Sequence, residues 1–435
     1  MPPEATERAG DPAGRALGYI AGAGLLLLFP VFVLYHYSVA SGWLPAFAGG
    51  LFGVSAALMS VFGLVHLGMS APGYRHRVPL LEMSFAALAT YLVLWAFAAA
   101  TLAGHRSHTD AALAEALSTV AIWLASYFLG VRVRLRAGSV TGPLFLLAAA
   151  ILVCFVHAVV VYGSFVGPFL AFQGDAGAAG GSTTYQGVGR AVMVMAVVMS
   201  ATRRDFLAQL ALLGAAAALL MALGSRSHLF ALLLLVALQI LVFGFRRGNF
   251  SAGVLALIAA AGAGMAAWGI FLDTRAAEIF ELATSTSWQE RLFAYGEAVR
   301  VIRENPFFGA FGYHWADRSA GYAHNMLSVW AGFGGVAFMA FLCMMLYAIA
   351  VSAGRVLFSE RPSVTWRVAF QFNAVALLLA IASEPIYASV FPALGWGFTV
   401  AAMRGERARN RMLSEFARHW WTPAQAPLRT PAGEA

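Results

Sequence analysis

Three short stretches, "GSRSHLF" around Arg226, "SWQERLF" around Arg291 and "YAHNML" around His324, set two guanidinium groups and an imidazole at the edges of apolar runs. Guanidinium is planar, permanently charged and matched to pairs of phosphate oxygens. Imidazole titrates near neutrality and serves as a general base or as an orienting hydrogen-bond partner. Glu384, in "ASEPIYAS", adds a carboxylate that would either pair one of the arginines or position an acceptor hydroxyl. These four residues are the candidate catalytic groups. Candidate substrate contacts are Tyr185, Gln186 and Arg190 in "TYQGVGR", Arg300 and Arg303 in "VRVIRE", His314 in "GYHWAD", and Asn325 beside His324. Each has a plainer reading. An interfacial Arg can snorkel to lipid headgroups, Arg300 and Arg303 can belong to a solvated helix face, and a polar loop can be only a loop.

Positioning these groups falls to a very apolar chain. Of 435 residues, 60% are hydrophobic and 11% charged, beyond the roughly half-apolar composition of soluble domains. The sequence therefore predicts an all-α, polytopic membrane protein. Twelve apolar runs can be read, at 17–38, 43–70, 79–104, 111–130, 142–165, 187–202, 206–224, 229–245, 250–271, 323–352, 367–383 and 388–403. Most approach the ~20 residues a spanning helix needs; 187–202 is short and carries Arg190 near its start. The polar N-terminal 1–16 has no short apolar segment with a small-residue cleavage site, so no cleaved signal is read. Cys154 and Cys343 lie inside apolar runs and imply neither a disulfide framework nor a metal site.

Every basic residue counted in the net charge of +8 is Arg; there is no Lys. In a membrane protein that excess reports orientation and anionic lipid rather than nucleic acid. With the N-terminus in the cytoplasm, "YRHR", "VRVRLR", "TRRD", "FRRG", "GRVLFSERPSVTWR" and "RGERARNRM" all fall on the cytoplasmic side. Arg106, Arg190, Arg226, Arg275, Arg291, Arg300, Arg303 and Arg318 then fall outside, against the orientation rule. The one sizeable outer loop is 272–323. Within it, Leu292, Tyr295, Val299 and Ile302 recur at helical spacing up to Asn305-Pro306, predicting an amphipathic helix on the membrane surface. The tail 404–435 is basic, contains Trp420-Trp421, and reads as an interfacial anchor followed by disorder.

Several arginines, a histidine and a carboxylate on one side of a lipid-embedded protein suit a ligand with a lipid part, a diphosphate and a polar extension. A polyprenyl-diphosphate-linked glycan has that form. Breaking its sugar C1–O bond expels a diphosphate whose charge arginines can stabilise. The outer loops hold no Asp-x-Asp and no His/Cys cluster at ligand spacing, so neither a metal nor another cofactor is expected.

The order "GSRSHLFALLLL", "WQERLFAYGEAVRVIRENPFFGAFG", "AHNMLSVWAGFGGVAFMAFL" resembles the O-antigen ligase/polymerase superfamily of polytopic bacterial membrane glycosyltransferases. The likeness covers Gly224 to Phe341. It implies about twelve transmembrane helices in a GT-C-like arrangement, in the bacterial inner membrane, with the site facing the periplasm. It also implies an undecaprenyl-diphosphate-linked glycan donor held by Arg226 and Arg291, with His324 as base or acceptor-positioning residue. Glu384 matches the family's acidic residue in the last outer loop only loosely. The acceptor would be a second lipid-linked repeat unit for a polymerase or lipid A-core for a ligase, and a chain-length regulator is a further partner of a polymerase. The glycines of the turn enclose Ala310-Phe311, a departure from the family pattern, and the modest length of 272–323 leans towards a polymerase. Gly332, Gly334 and Gly335 are expected to serve close helix packing. The rival class is a twelve-span transporter, but "SAPGYRHRVP" lacks the Gly-x-x-x-Asp-Arg pattern of the major facilitator group.

Overall fold

A helix lies beneath every one of the twelve apolar runs. The computed structural model describes residues 12–45, 50–73, 79–102, 107–135, 140–162, 185–267, 286–316, 323–382 and 389–421, and among these every regular element is helical. The helices are α1 (Pro12–Ala40, with a π-turn at Leu27–Val31 around Pro30), α2 (Gly50–Gly73), α3 (Leu80–Leu102), α4 (Ser107–Arg132), α5 (Thr141–Tyr162), α6 (Tyr185–Thr202) and α7 (Phe206–Ala222). They continue with α8 (Arg226–Arg246), α9 (Phe250–Ala267), α10 (Thr286–Glu304), α11 (Tyr313–Ala316), α12 (Leu327–Phe358), α13 (Val364–Ala382) and α14 (Phe391–Trp421). Eight of them, α1–α5, α8, α12 and α13, contain stretches long and apolar enough to cross a membrane. This is an α-helical, multi-pass membrane architecture.

The short run around Arg190 becomes the most enclosed helix. From Val188 to Ala201, α6 is buried at every position except Arg190. Its Val, Ala and Met side chains pack on neighbours all round, and Ser200 Oγ bonds Gln371 Oε1 of α13 at 3.0 Å. A helix with no lipid-facing side tolerates polar residues that a peripheral span would not. By contrast, α5 leaves Leu146, Val153, Val156 and Val160 outward, as a lipid-facing helix should.

The Arg-bearing helix ends gather together. Arg246 of α8 donates to the carbonyls of Ser359 (3.0 Å) and Glu360 (2.7 Å) beyond α12. Arg367 of α13 donates to the Arg203 carbonyl beyond α6, and Arg355 of α12 pairs with Glu406 of α14 at 3.2 Å. The tail expected from residue 404 is not a separate element up to Trp421, since α14 passes through Arg404 without a break. At 1.5 Å per residue its 31 residues run roughly 45 Å, longer than the ~30 Å hydrocarbon core.

Candidate functional site

At the opposite helix ends, the "TYQGVGR" and "GSRSHLF" segments meet. Gly189 of α6 faces the start of α8 so closely that a Cβ there would lie 2.9 Å from Ser225 Cβ and 3.3 Å from His228 Nδ1. Glycine is required by that approach. Ser225 Oγ and His228 Nδ1 bond at 2.9 Å, and the buried His228 ring stands 6.0 Å from Phe391 at the start of α14. Arg190, one residue beyond Gly189, lies near enough to His228 to interact with it electrostatically. Arg226 opens α8 half-buried, and Gln186 is also half-buried. For Tyr185 the backbone alone is described, at the first residue of α6.

The amphipathic helix of the large loop forms as α10, and small residues make its inner face. Ala294, Ala298 and Val301 are buried, whereas Leu292, Phe293 and Tyr295 are exposed. Small residues let α10 approach α12 closely, and the bulky ones turn outward, the usual division when the surroundings are lipid. Arg291 lies three residues before Ala294 and is half-buried on that inner face. Arg300 and Arg303 are exposed on the other side. Arg300 is engaged by Glu297 and by Glu304 (2.6 Å) of its own helix. The structure therefore sets Arg291 apart from Arg300 and Arg303.

After α10 the turn "NPFFGAFG" inserts its backbone into a break in α12. Gly334 has φ +85° and ψ 173°, which interrupts the helix and leaves peptide groups without helical partners. The turn supplies them: Gly335 N–H donates to the carbonyls of Pro306 (3.0 Å) and Phe307 (3.1 Å), and Ala310 N–H donates to the Ala331 carbonyl at 2.7 Å. Trp330 Nε1 adds a bond to the Pro306 carbonyl at 2.8 Å. The left-handed φ at Gly334, and a Cβ position already occupied by the Phe307 carbonyl, exclude any other residue. Gly334 and Gly335 thus receive a loop, and do not serve helix–helix packing as expected.

That junction fixes the segment before α12. Ala298, Val301, Tyr313, Ala323 and Ala331 form a small core of their own between α10, α11 and α12. Met326 N–H donates to the Ala380 carbonyl of α13 at 2.6 Å. Asn325 Oδ1 accepts from Leu327 N at 3.0 Å, a local side-chain turn that leads into α12. His324 sits between these restraints. Burial first, and then the Arg291 cation, lower its pKa from 6.5 to about 4. At neutral pH its imidazole is uncharged, the state a proton acceptor needs.

His314 turns away from this position. Its Nε2 meets Glu115 Oε2 of α4 at 2.7 Å, and Trp315 Nε1 donates to the same oxygen at 2.9 Å. His314 is buried in α11 with its Nε2 taken up by Glu115. Next to it, burial pushes the Tyr313 hydroxyl up to about 12, and this neutral hydroxyl accepts from Ala323 N at 3.4 Å. Glu384 lies outside the described residues. Among the described residues, no three His, Cys, Asp or Glu side chains stand together as a metal site.

The arrangement brings together Arg190, Arg226 and His228 at one junction, and Arg291 and His324 at another, on helix ends opposite the Arg-rich ones. Guanidinium beside a neutral imidazole can hold an anion and accept a proton next to it. Sequence reasoning passed over Glu115. The signal was a lone carboxylate inside the apolar run "AALAEALSTV", a placement that by default demands a partner or a function. No model of a known protein family matches the chain, and neither does any curated protein compared with it.

Proposed function

We propose that the protein is a membrane glycosyltransferase that moves a glycan from an undecaprenyl-diphosphate carrier to an acceptor hydroxyl, most simply as a surface-polysaccharide polymerase. The observation that carries this reading is the half-buried Arg291 on the inner face of α10, close enough to the neutral His324 to lower its pKa. The acceptor oxygen attacks the sugar C1 carbon and the C1–O bond to the diphosphate breaks. The hydroxyl proton passes to His324, and Arg291 and Arg226 stabilise the departing diphosphate. In this reading the twelve helices at the apolar runs are spans of a GT-C-like protein of the bacterial inner membrane. The Arg-rich ends then lie in the cytoplasm and the site faces the periplasm.

The test is reconstitution of the purified protein in liposomes with an undecaprenyl-diphosphate-linked repeat unit alone. A product ladder that vanishes in His324→Ala supports a polymerase. Product only after lipid A-core is added makes the protein a ligase. Turnover in neither assay, with both substrates confirmed in the membrane, overturns the reading and favours the transporter class.

A further inference from the structure

Glu115 stands about two turns inside α4, its side chain 20% exposed. An ionised carboxylate at membrane depth is costly unless partnered. Here the partners come from α11, some 200 positions later in the chain: His314 Nε2 at 2.7 Å and Trp315 Nε1 at 2.9 Å, both on Oε2. Because α11 is a single four-residue turn, holding two of its side chains fixes it as a unit. The residue before them, Tyr313, packs in the small core with Ala323 and accepts the Ala323 N–H. Ala323 precedes His324 directly. A line of contacts therefore runs from a carboxylate on α4, through α11, to the peptide that carries the imidazole.

We infer that Glu115 is a positioning residue of the site: through His314, Trp315 and Tyr313 it holds His324 at the angle that transfer to the acceptor requires. This rests on the proposed transferase reading for its kinetic consequences, but not for its geometric ones. Misplacing a reacting group by about 1 Å can cost ~10²-fold in rate. The described side-chain contacts of Glu115 run to α11, so its loss should act on orientation more than on donor binding.

Two measurements test this on the full-length protein in detergent or liposomes. In the kinetic one, Glu115→Ala should lower kcat about 10- to 100-fold with the donor KM within about twofold. Glu115→Gln, which keeps an oxygen acceptor for the two N–H groups, should recover most of the loss. Tyr313→Phe should fall between Glu115→Gln and Glu115→Ala. Unchanged kcat in Glu115→Ala, or a rise in donor KM alone, overturns the inference. The second measurement is hydrogen–deuterium exchange of peptides spanning residues 323–326. Faster exchange there in Glu115→Ala and Tyr313→Phe, with the α6 core unchanged, is expected whether or not the protein transfers glycans. If the wild type transfers nothing, the function reading fails, and unaltered exchange in both variants overturns the positioning role independently. If Glu115→Ala does not fold, Tyr313→Phe and Glu115→Gln carry both measurements.

Discussion

The two ends of the helix bundle handle buried charge differently. At the Arg-rich end, Glu82 of α3 is the hub of a closed cluster. Its Oε1 meets His66 Nε2 at 3.3 Å and its Oε2 pairs with Arg404 of α14, while Arg132 of α4 donates to His66 Nδ1 (Nη2 at 2.9 Å, Nε at 3.2 Å). Arg132 makes Nδ1 an acceptor, and Nε2 lies on the side of Glu82 and Arg404. Both ring nitrogens are used within the protein, and α2, α3, α4 and α14 are tied at one point. At the opposite end His228 and His324 each have a guanidinium as an electrostatic neighbour, Arg190 and Arg291 respectively, while His314 is taken up by Glu115. A carboxylate between cations closes a network. Cations placed beside neutral histidines build positive potential without titrating the histidine, which suits an anionic ligand and a proton acceptor.

The sharpest way to break this contrast is to remove the imidazole on the ligand side. His324→Ala should lower the transfer rate ~10²- to 10⁴-fold, the range for losing a positioned base, without changing the thermal midpoint of the purified protein. Arg291→Ala should cost ~10²- to 10³-fold, as for removal of one donor to developing negative charge. A residual rate near wild type in either variant would leave the two ends functionally alike. The pH profile refines the point. With a pKa of about 4, His324 stays neutral down to that pH, so the acid limb of the rate should fall near pH 4 rather than near 6.5. In Arg291→Gln the limb of the remaining activity should move upward, and only partway, because burial is the larger cause. Stability has the matching sign. The unfolded chain takes up this proton below about 6.5 and the folded one only near 4, so stability should decline as pH falls through that window.

The closed end makes the complementary prediction. Glu82→Ala removes the only carboxylate of its cluster and leaves two guanidinium groups facing each other across His66. Breaking a buried pair from one side costs about 3–5 kcal/mol; with Arg404 partly exposed, the lower end of that range is expected, read as a drop in unfolding midpoint. Activity per folded molecule should be unchanged. A rate loss with no stability loss would make this end part of the site.

The sequence showed helix positions well, because apolar length alone determines them: most of the twelve runs have their helix within a few residues, while α2 starts late and α12 and α14 run on past their runs. It also marked Arg226, Arg291 and His324 as polar residues against the local grain. Three things were hidden. The face by which α10 meets the protein was hidden because Ala294, Ala298 and Val301 make no marked period, whereas the conspicuous Leu292, Phe293 and Tyr295 face out. The break at Gly334 was invisible because "WAGFGGVAF" has the composition of an uninterrupted span; only the docked "NPFFGAFG" backbone reveals it. Glu115 needed a partner far along the chain, and no local period points there.

Gly334→Ala tests whether that break belongs to the ligand side or is mere helix irregularity. A non-glycine residue at this φ costs ~1–3 kcal/mol, and the added methyl would also press on the Phe307 carbonyl. The turn should be expelled, the small core around Ala323 loosened, and activity lost by more than the stability change alone explains. Arg300→Ala is the smallest and cleanest contrast. Arg300 is exposed and ion-paired within α10, one helix face away from Arg291, so its removal should leave the transfer rate within about twofold, as for a surface pair. If Arg300→Ala instead weakened donor affinity as strongly as Arg291→Ala, the whole of α10 would contribute to binding. The division between its two faces, and with it the assignment of Arg291 to the site by burial, would then fail.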